Sequence, residues 1–467
     1  MLYIKKEPGK QLYFQIYEYY RNNILSGQIA ENTLLPSTRH LADELSVSRT
    51  TVDTAYQQLL AEGYIYSVPK SGYYVSHVAH IKPAEASPSF RAEDDTAKED
   101  RIYIEGIRYN FQYGRLSSDT FPYSLWKKLT NKVILEMDPA HITAYNSRTG
   151  EAAFKEEIAR YIYSSRGVSC NADDIVIGSS LLTIISLICQ LFQGTIKSVA
   201  IEDPCYDTAR SFFINHGYDI YPIPLTDDGP DVQKLADTDA RLVYITPSHQ
   251  FPSGKVMSVN QRIRILQWAE ENNAFIIEDD YDSEYRYDSK PLPSLQSLDH
   301  ANRVIYTNTF SKSLAPALRT SFMALPPQLK ELYDMKFSNY NCTVPLLTQL
   351  TLTRFMAEGH WVRHLRKIAL INRKKHDHLV RQITEQLGPF VKIHGNNAGL
   401  HLLLSVDNGM DEADLVAAAG AKGVRVYPIS HYYANRPAES NCVLLGFGAL
   451  SHDDITEGVR LLREAWS

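Results

Sequence analysis

The chain has 467 residues, of which 44% are hydrophobic and 22% charged, and its formal net charge is -6 at pH 7. That length predicts roughly two to three domains of a soluble globular protein, and the mild negative charge excludes a uniformly basic surface without excluding a local nucleic-acid-binding face. The longest apolar run, Leu181 to Phe192, is interrupted by Thr183, Ser186 and Gln190 and is too short and polar to cross a bilayer, and no apolar core follows the N-terminal lysines to make a secretion signal. Five scattered cysteines (Cys170, Cys189, Cys205, Cys342 and Cys442) form no C-x-x-C pair, which predicts free thiols in a reducing cytosol and argues against a zinc site.

From Leu12 to Leu25 the residues Tyr13, Ile16, Tyr17, Tyr20 and Ile24 recur at three- and four-residue steps, predicting an amphipathic helix. A loop with Gly27 and Pro36 leads to a short helix from Thr38 to Leu45, with Leu41, Ala42 and Leu45 inward. A third helix starts at the N-cap Ser48, with Val47 and Val52 at staple positions. Val52, Ala55, Tyr56, Leu59 and Leu60 form its apolar stripe, which ends before Gly63. Two helices joined by a three-residue turn make a helix-turn-helix. Arg49, Thr50 and Thr51 stand where its second helix would enter a major groove, and Arg39 could clamp the backbone. Beyond Gly63 an alternating segment around Pro69-Lys70-Ser71-Gly72 predicts a β-hairpin wing with Lys70 at its tip.

Seven basic and seven acidic residues balance over this region, but Arg39, Arg49 and Lys70 fall on the predicted DNA face. The string LLPSTRHLADELSVSRTTVDTAYQQLLAEGYIYSVPKSGYYV resembles the winged helix-turn-helix domains of the GntR superfamily. The resemblance implies that Arg39, Ser48, Arg49, Thr50, Thr51, Lys70 and Gly72 contact a double-stranded DNA operator. Asp53 departs from the pattern where some members carry a basic residue. Composition then shifts to Pro, Ala, Ser, Glu and Asp with no apolar period, which predicts an extended tether. The expected domains are therefore 1–76, a linker 77–105, and 106–467.

In the third segment short β-branched runs (DIVIG, SVAIEDP, RLVYITP, AFIIEDD, RVIYTN) alternate with helical stretches. That alternation predicts an α/β domain with a mostly parallel, doubly covered sheet and a ligand at the carboxyl ends of its strands. Gly178-Ser179-Ser180 opens a helix and would cradle a phosphate. Tyr206, beyond Pro204, is either a core ring or a platform for a flat heterocycle. The acids Glu278, Asp279, Asp280 and Asp282 crowd one strand end and call for a compensating charge, either a metal or a protonated ring nitrogen. In VIYTNTFSKSLAPALR the hydroxyls Thr307, Thr309, Ser311 and Ser313 surround Lys312 and lead to Arg319. A desolvated lysine there would capture an aldehyde, with the hydroxyls and guanidinium suited to a phosphate. A solvated lysine in a polar loop is the alternative.

Together these features are the contacts that pyridoxal 5'-phosphate requires. From about Tyr109 onward the chain resembles the fold-type I, class I aminotransferases through Tyr145-x4-Gly150, EDPCY, TPSHQFPSGKVMS, IIEDDYDSE and FSKSLAPALR. The resemblance implies that Lys312 is the Schiff-base lysine, Asp279 pairs with the pyridine nitrogen, Tyr281 bonds the ring hydroxyl and Tyr206 stacks on the ring. It implies further that Ser179, Ser180, Ser311 and Arg319 hold the phosphate, and that Tyr145 reaches the phosphate of a second subunit.

Two departures bear on function. Phe251-Pro252-Ser253-Gly254 lacks the asparagine of Asn-Pro-x-Gly, and Leu444-Leu445-Gly446-Phe447 lacks the substrate-carboxylate arginine of Arg-Leu-x-Phe. A carboxylate without its bidentate partner is poorly oriented, so efficient transamination is not expected. The whole arrangement resembles the MocR subgroup of GntR regulators, which implies a head-to-tail homodimer on two DNA half-sites, in the cytoplasm. In the branch responding to γ-aminobutyrate an arginine occupies the segment matching YPISHYYANRP, where this chain has His431, with Arg436 nearby. The leading expectation is a regulator that responds to pyridoxal phosphate itself and controls vitamin B6 synthesis. The alternatives are a regulator sensing an amino acid through an external aldimine, and an active aminotransferase.

Overall fold

The computed structural model describes residues 11–78, 106–287, 292–395, 397–434 and 441–467. These fall into two compact units divided between residues 102 and 103. Among the described residues no helix is long and apolar enough to cross a membrane.

The first unit holds helices α1 (Leu12–Leu25), α2 (Thr38–Leu45) and α3 (Arg49–Ala61), then strands β1 (Ile65–Val68) and β2 (Gly72–Val75). Ser46 in the left-handed region (φ 52°) turns the chain between α2 and α3. Ile16, Tyr17, Tyr20 and Ile24 of α1 meet Val52, Ala55, Tyr56 and Leu59 of α3 in one core. The buried Tyr56 hydroxyl donates to the Pro36 carbonyl at 3.0 Å, so its polar end is satisfied. β1 and β2 pair antiparallel with Val68 opposite Gly72, the hairpin expected for the wing. The tether lies outside the described residues except for His77 and Val78.

In the second unit, β3 (Tyr109–Asn110) precedes the strands β4 (Ile175–Gly178), β5 (Ser198–Asp203), β6 (Asp219–Pro224), β7 (Leu242–Ile245), β8 (Phe275–Asp279), β9 (Val304–Thr309) and β10 (Ser321–Ala324). The last seven form one sheet in the order β4-β10-β9-β8-β7-β5-β6, parallel except for β10. Alternation along the strands splits the core. Ile175 and Ile177 pack with Phe154 and Ile158 of one helix layer, while Val176 between them packs with Ile184 and Ile188 of the other.

Two of these strands have no counterpart in the sequence reading. β6 (DIYPIP) carries two prolines and is tolerated because it is the edge strand. β10 is only four residues long and antiparallel between β4 and β9, so no crossover rhythm announces it.

A smaller antiparallel sheet follows, with the order β11-β12-β15-β14, from β11 (Val391–His394), β12 (His401–Val406), β14 (Tyr427–Pro428) and β15 (Cys442–Gly446); β13 (Val424–Arg425) pairs instead with β3. Val443 and Leu445 of β15 face the helices Glu412–Ala421 and His452–Trp466, which places Leu444 on the opposite face.

Candidate functional site

β4, β5, β7, β8 and β9 all end on one edge of the large sheet, and the segments leaving those ends close around a cavity of about 470 Å³. Ser180, Tyr206, Thr246, Asp279, Tyr281, Ser311, Lys312 and Arg319 line it. A parallel sheet collects side chains in this way because each crossover returns the chain to the same edge.

Lys312 sits on the one-turn helix Phe310–Ser313, which Thr309 caps through the Ser311 amide at 3.1 Å. Its ammonium lies 4.0 Å from the centre of the Tyr113 ring. Burial pushes the lysine down to about 8, partly opposed by the nearby Asp282 and Asp279 carboxylates, so about a tenth of it is free amine at pH 7, far more than for an ordinary lysine. Gly114 has φ +88°, a conformation that favours glycine, and a Cβ there would come 2.8 Å from Nζ and displace the amine.

The four acids at the end of β8 have separate fates. Glu278 accepts the Leu295 and Gln296 amides at 2.7 and 2.9 Å. Asp280 takes the Arg166 guanidinium at 2.8 Å and the Tyr306 hydroxyl at 2.7 Å. Asp282 holds His249 Nδ1 at 2.8 Å. Only Asp279 is left facing the cavity with no cation in contact. The Tyr244 hydroxyl donates to it at 2.5 Å, and burial still raises the carboxyl to about 7. Burial raises Glu278 to about 7 as well, but its carboxylate is turned to backbone amides outside the cavity lining, so a charge brought by a ligand could compensate only Asp279 of these four acids. Among the described residues no cluster could hold a metal ion.

Ser180 caps the helix Leu181–Leu191 through the Thr183 amide at 3.1 Å, leaving the first-turn amides of Leu181 and Leu182 at the cavity wall. Arg319, in the left-handed region at φ 47°, brings its guanidinium to the same cavity. Ser179 stands behind this wall with its hydroxyl 3.0 Å from that of Thr183. Thr307 and Ser313 are turned away: the Thr307 hydroxyl donates to the Glu278 carbonyl, and Ser313 is buried outside the cavity lining. Two of the four hydroxyls around the lysine therefore do not belong to the site.

Tyr145 is 88% exposed and outside the cavity. His431 lines the cavity beside Tyr432, and its carbonyl accepts from Arg210 at 2.6 Å. Arg436 lies outside the described residues. The sequence reading passed over Tyr113, Gly114, Thr246, Tyr244 and Asp207. Tyr113 and Gly114 lie in an irregular stretch without periodicity, where the glycine was the available signal of close approach.

These residues fit pyridoxal phosphate. A buried carboxylate raised for want of a cation suits a ring nitrogen that carries a proton. A guanidinium, a serine hydroxyl and helix N-terminal amides suit a phosphate, and a depressed lysine suits an aldehyde.

In the first unit, Arg39, Arg49, Thr50 and Lys70 are exposed. The Ser48 hydroxyl accepts the Thr51 amide at 3.1 Å and lies 2.8 Å from the Thr51 hydroxyl, so this pair builds the start of α3. Asp53, the departure from the family pattern, sits 3.6 Å from Arg49 one turn away. Gly72, at φ +132°, is needed for the wing's geometry, since a Cβ would meet Leu34 at 3.0 Å.

A winged helix-turn-helix followed by a fold-type I aminotransferase domain defines a class of DNA-binding regulator built on an enzyme fold. Residues 12–75 match the gntR family of bacterial regulatory proteins, and residues 113–462 match aminotransferase class I and II. The chain is 41% identical over 464 residues to the uncharacterized HTH-type transcriptional regulator YdeL of Bacillus subtilis (strain 168), covering 97% of this chain and 96% of that protein. It is 31% identical over 476 residues to the probable rhizopine catabolism regulatory protein MocR of Rhizobium meliloti, covering 100% and 96%. Among solved structures it is similar to the multiple substrate aminotransferase of Thermococcus profundus, with TM-score 0.70 and 26% identity over 78% of this chain and 91% of that one. The chain belongs to the MocR subgroup of GntR-family transcriptional regulators.

Proposed function

We propose that this regulator binds pyridoxal phosphate at Lys312, that its affinity for operator DNA responds to the cofactor, and that it controls genes of vitamin B6 synthesis. The observation that carries the reading is the pairing of a depressed lysine with Asp279, a buried carboxylate raised to about 7 without a cation, in a chain headed by a winged helix-turn-helix. The cofactor would bring an aldehyde able to join an amine. Lys312 supplies that amine, Asp279 would hold a proton at the ring nitrogen, Tyr206 and Thr246 would bound the ring, and the Tyr281 hydroxyl, which donates to the His249 carbonyl at 2.8 Å, would turn from it to the ring oxygen. Ser180, Ser311 and Arg319 take the phosphate.

Leu444 supports binding in preference to turnover. It lines the cavity from β15, and the run it begins aligns with the enzymes' Arg-Leu-x-Phe, so this wall offers an isobutyl group in place of a guanidinium. On this reading cofactor occupancy at Lys312 biases the DNA-binding state.

The exposed apolar side chains Ile134, Leu135, Ile142 and Tyr145, close together in sequence, support a homodimer that would cover them. Tyr145 would then reach the partner's phosphate site, and Arg39, Arg49, Thr50 and Lys70 would meet DNA, one head per half-site.

The test is selection of bound DNA from a random pool by the full chain, with and without pyridoxal phosphate. Enrichment of a two-half-site sequence whose affinity changes with the cofactor is expected. No enriched sequence refutes the operator reading, and an affinity unchanged by the cofactor refutes the cofactor as signal.

A further inference from the structure

Beyond the cofactor contacts, the described walls of the cavity carry a carboxylate and no further permanent cation. Asp207, half-buried, lines the cavity directly after Tyr206 and makes no ion pair among the described residues. A hydroxyl contact from Thr208, at 3.4 Å, is long. Its charge is felt by a neighbouring lining residue, since after burial it is the first cause raising the Tyr432 hydroxyl.

Aromatic rings line the same cavity as this carboxylate. Phe251 lies 4.9 Å from Tyr432, 5.1 Å from Tyr113 and 5.9 Å from Tyr206, ring centre to ring centre. Leu444 closes another wall.

Among the described residues the lining's permanent cations are Lys312 and Arg319, both assigned to the cofactor above. Arg210 stands close by, but its two terminal nitrogens are bound to the carbonyls of Tyr432 and His431 at 2.8 and 2.6 Å. An incoming carboxylate would meet Asp207 and ring faces, both repulsive to an anion. An ammonium would meet a carboxylate and several negative ring faces, the arrangement that recognises cationic amines.

We propose that the effector end of this cavity takes a small aliphatic amine without a carboxylate, with its ammonium held between Asp207 and the rings around Phe251. The proposal rests on Lys312 and Arg319 being occupied by the cofactor. It adds a second ligand class to the reading above.

The experiment compares 1,4-diaminobutane with 4-aminobutyrate, two chains of equal length that differ in charge at one end. Binding of each to the full-length, cofactor-loaded chain is measured by calorimetry. The visible absorbance of the cofactor is followed in parallel. The diamine should bind at least about ten-fold more tightly. D207N should shrink that ratio about ten-fold, and L444R should move it toward the acid. The ratio is read within one protein sample, so partial misfolding of a variant does not mimic the effect. Equal or tighter binding of 4-aminobutyrate by the unmodified chain overturns the proposal, as does binding of neither compound, or a ratio indifferent to D207N. A chain that never acquires the cofactor absorbance overturns the cofactor reading, and this proposal with it. A loaded chain that prefers the acid removes this proposal alone.

Discussion

Replacing Asp279 by Asn should stabilise the cofactor-free protein and cripple cofactor binding. The carboxyl is raised from 3.8 to about 7 by burial, with Asp280 and Asp282 adding to the rise. Between those two values the folded chain holds a proton that the unfolded chain has released, so stability falls as pH rises through this window and levels off above 7. At 1.36 kcal/mol per tenfold change in proton affinity, the plateau lies near ~4 kcal/mol, with less than about half of it reached at pH 5. These are ceilings, because the interior relaxes around a charge and admits water. Asn keeps the shape and still accepts from Tyr244 but carries no charge.

All four tryptophans (Trp126, Trp268, Trp361 and Trp466) lie in the large unit, so their fluorescence during equilibrium denaturation reports that unit alone. The variant should gain stability over the parent, and the gain should grow from pH 5 to pH 8. Loaded with pyridoxal phosphate the order should reverse. Losing the carboxylate partner of the ring nitrogen should weaken binding by about 100-fold or more, on the scale of a broken buried ion pair. A variant no more stable than the parent at pH 8, or one that binds the cofactor equally well, refutes the assignment.

Other expectations follow from the same geometry. Cofactor capture, followed by visible absorbance, should accelerate as pH rises through about 8, where Lys312 loses its proton, and Lys312→Ala should abolish the absorbance; a rate indifferent to pH would contradict the buried-lysine picture. Arg319→Ala should weaken pyridoxal phosphate roughly ten- to a hundred-fold while leaving unphosphorylated pyridoxal nearly unaffected, and equal losses for both would remove Arg319 from the phosphate site. Arg49→Ala should cost about 1–3 kcal/mol on the selected operator, whereas Lys70→Ala should lower the salt dependence of binding by about one charge on any sequence. Leu135→Asp, at a side chain 85% exposed, should raise the dissociation constant of the dimer in sedimentation, and an unchanged constant would place the interface elsewhere.

The sequence by itself determined the DNA-reading head almost residue for residue. Its helices are short, locally capped and strongly periodic, so the information lies within a few residues of where it is used. It also determined which strands end at the cavity and that Lys312, Asp279, Tyr206 and Arg319 line it together, because parallel strands joined by crossovers must deliver their ends to one edge.

Only the tertiary structure decided which acid lacks a partner. Asp280, Asp282 and Asp279 are indistinguishable as letters, and they differ because Arg166 and His249 reach the first two from distant segments. The same holds for the hydroxyls around Lys312, of which Thr307 and Ser313 turn inward as strand and helix phase dictate. Tyr113 and Asp207 join the site from irregular or unmarked positions, where neither periodicity nor a motif speaks. Leu444 faces the cavity because β15 points Val443 and Leu445 at the helices behind it, a register that pairing with β12 fixes. Local order is written in nearest neighbours, whereas charge balance and cavity walls depend on side chains brought together from far along the chain.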